Sequence, residues 1–223
     1  MKNLLITGCS WPAGEWGYVS GNYQITHRGL ALFLNDSGYD VINLSQPGSD
    51  NWGAVYVLQS FLKVNSHINL SHIFYFQTDI GRSFKFCAPS KSNNLTDEIN
   101  QLYLELYDRL DQLAMKNNCT IHVIGGITDI VVSLKNFKNL KLCLDSWCRL
   151  IDPTLPLTGL VDKSSIEFLD DHCYDKKQIE PIADQALARY KFFDSNPYYF
   201  QPDGTHPNRL AHKLLVEYLS NYV

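Results

Sequence analysis

The sequence predicts one α/β domain over residues 1–223, a parallel sheet of about five strands with helices on both faces. Three observations predict it. Short apolar runs alternate with longer amphipathic stretches along the whole chain, and no internal repeat interrupts them. A length of 223 residues suffices for one sizeable core without a split into two domains. Hydrophobic residues make up 45% and charged residues 19%, which sets the chain among folded proteins rather than disordered ones.

The elements follow in order. Leu4-Leu5-Ile6 reads as a first strand that ends at Thr7-Gly8. Residues 24–37, with Ile25, Leu30, Leu32, Phe33 and Leu34, read as a helix stopped at Ser37-Gly38. Val41-Ile42-Asn43-Leu44 is a second strand, followed by Pro47-Gly48. From Asn51, helical spacing resumes through Val55, Leu58 and Leu62. Ile73-Phe74-Tyr75-Phe76 is the third strand, and residues 78–95 read as a long loop of the kind that often carries function. Over 96–116 the pattern is strongly helical: Thr96 is placed to cap, Asp97 and Glu98 suit the first turn, and Ile99, Leu102, Leu106, Leu110 and Leu113 form one face. Ile121-His122-Val123-Ile124 and Leu140-Lys141-Leu142-Cys143-Leu144 supply the fourth and fifth strands. Helices are expected near 163–170 and 178–190, and a last one over 207–221 that starts at Pro207.

Composition excludes several function classes. With a net charge of −4 and no run of Lys or Arg, the chain lacks the basic surface a nucleic acid needs. No apolar stretch approaches the roughly 18 residues of a membrane span. The N-terminal apolar run is too short for the core of a signal peptide, so a cytoplasmic location is expected. Cys9, Cys87, Cys119, Cys143, Cys148 and Cys173 are widely spaced with no C-x-x-C, and are read as buried free thiols. The sequons at Asn69, Asn94 and Asn118 are short enough to be coincidental. Histidines show neither H-x-x-x-H nor H-E-x-x-H, so no metal is implied. Gly8, Gly14 and Gly17 do not make G-x-G-x-x-G, Pro12 intrudes and no Walker Lys follows, which argues against a nucleotide or flavin; no cofactor is expected.

A parallel sheet presents its ligand at the C-terminal ends of its strands. The chemically interesting residues fall there. Gly8-Cys9-Ser10-Trp11-Pro12 follows the first strand, and a serine hydroxyl becomes a nucleophile when a neighbouring base takes its proton. Asp203-Gly204-Thr205-His206-Pro207 precedes the last helix, and offers a histidine base with a carboxylate to orient it. Gly48 after the second strand offers a backbone N–H that a substrate can approach closely; Gln77 offers an amide and Thr78 a hydroxyl after the third. Each piece alone is also a common turn, cap or strand end. Arg82 is a candidate for an anionic substrate group, and Asp129 sits after the fourth strand at the same sheet edge. Trp11, Trp16 and Trp52 are candidates for stacking on a sugar ring or walling an acyl pocket, with core packing as the competing role.

The order of these blocks resembles the SGNH (GDSL-like) hydrolase family from Leu4 to the final helix. The resemblance implies a flavodoxin-like three-layer α/β/α sandwich. It implies Ser10 as nucleophile, His206 as general base and acid, and Asp203 as the group orienting His206. The backbone N–H groups of Ser10 and Gly48 would form part of the oxyanion hole. The substrate implied is a small carboxylic ester, such as an O-acetyl group on a saccharide, cleaved through an acyl-serine intermediate. Two departures stand out: the first block reads Gly8-Cys9-Ser10 rather than G-D-S, and Phe76-Gln77-Thr78-Asp79 replaces G-x-N-D, so that Thr78 stands where the family has Asn and Gln77 is the nearby amide. A non-catalytic glycan- or surface-binding protein of the same fold, and an acyltransferase using the same serine, are the alternative readings.

Overall fold

A computed structural model of the chain describes residues 2–84, 94–161, 163–171, 175–201 and 205–222. Strand β1 (Lys2–Thr7) leads into a single helical turn, α1 (Ser10–Ala13). An antiparallel hairpin follows, β2 (Glu15–Val19) and β3 (Asn22–His27), and then helix α2 (Gly29–Asp36). Next come β4 (Tyr39–Asn43), α3 (Asn51–Val64) and β5 (Leu70–Gln77), and a short 3-10 turn over Ile80–Ser83. The chain continues as α4 (Leu95–Lys116), β6 (Ile121–Gly125), β7 (Leu140–Leu144) and α5 (Trp147–Ile151). It ends in α6 (Lys163–Asp171), α7 (Lys176–Ser195) and α8 (Arg209–Leu219).

Five strands form one parallel sheet in the order β4-β1-β5-β6-β7. The strand order reverses at β1, with the chain moving first to β4 on one side and then to β5 on the other. That reversal opens a crevice at the C-terminal ends of β1 and β5. In register, Leu5 of β1 lies between Ile42 of β4 and Ile73 of β5.

The pleat divides the core in two. Leu5, Ile73, Tyr75 and Val123 face one layer with α3 and α4, beside Leu58, Leu106 and Leu110. Leu4, Ile6, Phe74 and Phe76 face the other, with α2, α5 and α8, beside Leu30, Trp147 and Leu215. Such full burial contributes about 1.5–3 kcal/mol per large apolar side chain. The result is the expected three-layer α/β/α sandwich.

Three details differ from the sequence reading. Residues 24–27 belong to β3 rather than to a helix, because Ser20 and Gly21 both take positive φ (51° and 82°) and turn the chain into a hairpin. Helix α4 starts at Leu95 with Asn94 as its cap, not Thr96: the Asn94 side chain accepts from the Asp97 N–H. Helix α8 is capped by Asn208, whose Oδ1 accepts from the N–H groups of Leu210 and Ala211, while Pro207 pairs with Phe200 in an isolated antiparallel bridge. Of the loop expected over 78–95, residues 80–83 form the 3-10 turn and 85–93 lie outside the described residues. Cys9, Cys119, Cys143 and Cys148 are free thiols; Cys87 and Cys173 lie outside the described residues. Among the described residues no helix is long and apolar enough to cross a membrane.

Candidate active site

Ser10 is placed by the end of β1. Gly8 precedes it with φ +155°, and a Cβ there would sit 2.7 Å from Cβ and 2.9 Å from the carbonyl oxygen of Phe76. Only glycine lets β1 run this close to β5 before the chain turns into α1. Ser10 is 7% exposed, and its carbonyl accepts from Nε1 of Trp16, at 3.1 Å. The hairpin therefore grips the backbone of the serine directly.

His206 arrives from the opposite end of the chain on a loop with a tied base. The Phe200–Pro207 bridge closes that base, the Gln201 N–H donates to the His206 carbonyl (2.8 Å), and the Asn208 N–H donates to the Tyr199 carbonyl (2.8 Å). Glu15 of β2 then clamps both sides of the loop. One of its oxygens accepts from the Gln201 amide (3.0 Å) and the other from Nε of Arg209 (3.1 Å). The imidazole is delivered with Nε2 2.9 Å from Oγ of Ser10, a hydrogen bond across 196 residues of sequence. Nδ1, on the far side of the ring, lies 3.2 Å from the hydroxyl of Tyr23. Trp16 and Tyr23 pack against the imidazole with ring centroids at 5.7 and 6.1 Å. Asp203 lies outside the described residues.

A cleft of about 680 Å³ opens over this pair. Ser10, His206, Trp16 and Tyr23 form one wall; Gly48 and Pro47 follow β4; Gly81, Arg82 and Phe84 follow β5; Ser164 and Phe168 come from α6. Gly48 takes φ +71° with open space where a Cβ would stand, so its backbone borders the cleft uncovered. At Gly81 a Cβ would meet Ser165 Cβ at 2.3 Å, and its absence lets α6 close the far wall. The cleft thus holds a hydroxyl, an imidazole, an uncovered glycine backbone and a guanidinium between aromatic walls.

Five candidates from the sequence stand elsewhere. Gln77 is fully buried: its amide donates to the Asp129 carbonyl (3.0 Å) and its Oε1 accepts from the Tyr107 hydroxyl, so the side chain is committed to the core. Thr78 is 1% exposed and does not line the cleft. Its backbone N–H and C=O are both held by the buried Asn51 side chain, at 2.9 and 2.8 Å, and its Oγ1 is buried without a hydrogen-bond partner among the described residues. Asp129 is fully buried in an ion pair with Arg189, at 2.5 Å, and accepts from the Thr158 N–H at 2.8 Å. Burial raises its carboxyl above the usual range, and Arg189 opposes that rise. Trp11 packs in an aromatic cluster with Trp147, Phe193 and Phe200. Trp52, in the first turn of α3, is partly buried against the core.

Tyr23 and Asn51 escaped the sequence reading. Tyr23 sits in a stretch read as the lead into a helix. Asn51 reads as an ordinary helix-start polar residue. The alternation of Trp16 and Tyr18, and of Tyr23 and Ile25, about Ser20-Gly21 was the available signal for the first. For Asn51 no local signal exists, since its partners Tyr75 and Thr78 are distant in sequence.

A serine and a histidine thus meet at the switch point of a parallel five-stranded sheet. No protein-family model matches the sequence, and no curated protein matches it. Solved structures do match over nearly the whole chain. One is the psychrotrophic esterase EstA from Pseudoalteromonas sp., at 13% identity, TM-score 0.50, covering 99% of this chain and 96% of that one. Others are a lipase/acylhydrolase from Enterococcus faecalis (13%, TM-score 0.45, 100% and 95%) and the acetyl xylan esterase AlAXEase (13%, TM-score 0.46, 99% and 99%). At this identity the likeness to EstA is one of fold, and it is the fold that the block order in the sequence implies.

Proposed function

We propose that the protein is a serine esterase that cleaves small carboxylic esters through an acyl enzyme on Ser10. The observation that carries the reading is the 2.9 Å contact between His206 Nε2 and Ser10 Oγ in the lining of a cleft at the switch point. In this reading Ser10 Oγ attacks the ester carbonyl carbon while His206 Nε2 takes the hydroxyl proton. The backbone N–H groups of Ser10 and Gly48 hold the developing oxyanion. Collapse of the tetrahedral intermediate breaks the bond to the alcohol oxygen, and His206 returns the proton to that leaving group. Water then attacks acyl-Ser10 with His206 again as base, and releases the carboxylic acid and free serine. Asp203 is assigned the orienting role on His206. Trp16 and Tyr23 in the cleft wall suit an acyl group carried on a sugar ring, so O-acetyl saccharides head the substrate list.

A fluorophosphonate probe tests this without a known substrate. EstA was solved inhibited by monoethylphosphonate, which makes a phosphonate a natural choice. Intact mass is expected to show one adduct on the parent chain and none on Ser10→Ala or His206→Ala. A folded parent chain that takes no adduct would transfer the assignment to a glycan-binding protein of this fold.

A further inference from the structure

We propose that Tyr23 is a positioning residue for His206: its hydroxyl selects the imidazole tautomer that can take the proton of Ser10. The inference rests on the esterase reading and adds a residue to it. Two observations on the same ring support it. Nε2 lies 2.9 Å from Ser10 Oγ, and Nδ1 lies 3.2 Å from Tyr23 Oη. A neutral imidazole carries one proton. For Nε2 to accept from Ser10, that proton must sit on Nδ1, and an oxygen must stand there to receive it. The Tyr23 oxygen is such an acceptor. When Nε2 gains the serine proton, the imidazolium donates more strongly to the same oxygen, which favours the charged form.

Tyr23 is held in place for this work. It stacks on Trp16 with ring centroids at 5.4 Å and an interplanar angle of 26°. Trp16 in turn donates to the Ser10 carbonyl. One hairpin thus fixes the backbone of the nucleophile and the outer nitrogen of the base together. The phenol carries no charge, so it orients the ring without the desolvation cost of a second carboxylate. In the esterase reading Asp203 is assigned a role on His206 as well. Among the described residues, the titratable and charged side chains lining the cleft are Tyr23, Arg82 and His206. Of these, Tyr23 is the one whose hydroxyl lies against Nδ1.

The test is the rate of fluorophosphonate labelling of the full chain as a function of pH, for the parent, Tyr23→Phe and Tyr18→Phe. Tyr18 is 77% exposed on the same hairpin and serves as the control. Thermal melts of all three confirm equal folding. Labelling of the parent is expected to rise with pH. Tyr23→Phe keeps the ring and removes this oxygen. Its plateau rate is expected to fall about 2- to 10-fold, the worth of one hydrogen bond. Its half-maximal pH is expected to move down by up to about one unit, because the imidazolium has lost a partner. Tyr18→Phe should follow the parent. An unmoved midpoint in Tyr23→Phe, with or without a slower plateau, would reduce Tyr23 to packing and overturn the proposal. Faster labelling would show that Tyr23 donates to Nδ1 and holds the unproductive tautomer, which also overturns it. A parent chain that does not label at all brings down the esterase reading itself, a different failure from a parent that labels and a Tyr23→Phe that matches it.

Discussion

A buried histidine outside the cleft lining shows how one residue can contribute to the acid sensitivity of the chain. His212 of α8 is fully buried, and its Nδ1 accepts the Leu30 N–H at 3.1 Å. Gly29, with φ +48°, has no Cβ to collide with the ring, where one would stand 2.7 Å from Nδ1. A ring so enclosed cannot take a second proton at ordinary cost. Burial pushes its titration down to about 3 from the usual 6.5. The unfolded chain therefore binds a proton between those values that the folded chain refuses. The contribution of His212 is present above pH 6.5 and is lost as pH drops through that window. Between pH 7 and pH 5 His212 alone should remove about 2 kcal/mol, at 1.36 kcal/mol per unit below 6.5. Urea unfolding at both pH values, in the parent and in His212→Gln, checks this. The variant should be less stable at pH 7 but lose less on acidification, and an unchanged loss would mean that His212 is not the group responsible.

At the scale of elements, the hairpin β2–β3 is the part that the sequence concealed and the site depends on most. Its turn needs positive φ at Ser20 and Gly21, and β-branched residues tolerate that region poorly. Gly21→Val should strain the turn by about 1–2 kcal/mol and loosen the grip of Trp16 on Ser10 and of Tyr23 on His206. Fluorophosphonate labelling should slow several-fold while the melting temperature changes little, because the hairpin lies outside the main sheet. Equal losses in both would mean that the hairpin is part of the cooperative core. The strands of the main sheet were legible because each is a short, nearly continuous apolar run, as burial on both faces demands. The hairpin was not, since its pattern of Trp16, Tyr18, Tyr23 and Ile25 runs directly into the helical spacing of Leu30 and Leu34. That Ser10, Gly48 and His206 border one cleft was readable from their places after strands and before the last helix. Gln77 was misread because alternation says that a residue ends a strand, not which way it turns there. Its amide enters the core to meet Tyr107 and Asp129.

Across the whole molecule, the two cores are joined by more than the sheet. Helix α7 places Ile179 in one layer and Phe192 and Phe193 in the other. Between them Arg189, 1% exposed, reaches Asp129 after β6, Ser146 after β7 and the Pro156 carbonyl. One guanidinium so fastens the ends of two strands to the helix that spans both layers. A pair of this kind adds little net stability relative to a well-packed apolar substitute, yet breaking it strands a charge in the core. Arg189→Leu should therefore cost about 3–5 kcal/mol, as should Asp129→Leu, which leaves the guanidinium unmatched. Arg189→Leu with Asp129→Leu should cost less than the two losses added, because neither charge remains to be stranded. Denaturant unfolding of the three variants measures this coupling, and the transition should stay single, since both layers share one sheet. Strict additivity would place the stabilising contacts of α7 in Phe192, Phe193 and Ile179 alone. Two separate transitions would mean that the layers are held together by Arg189 rather than by the strands between them.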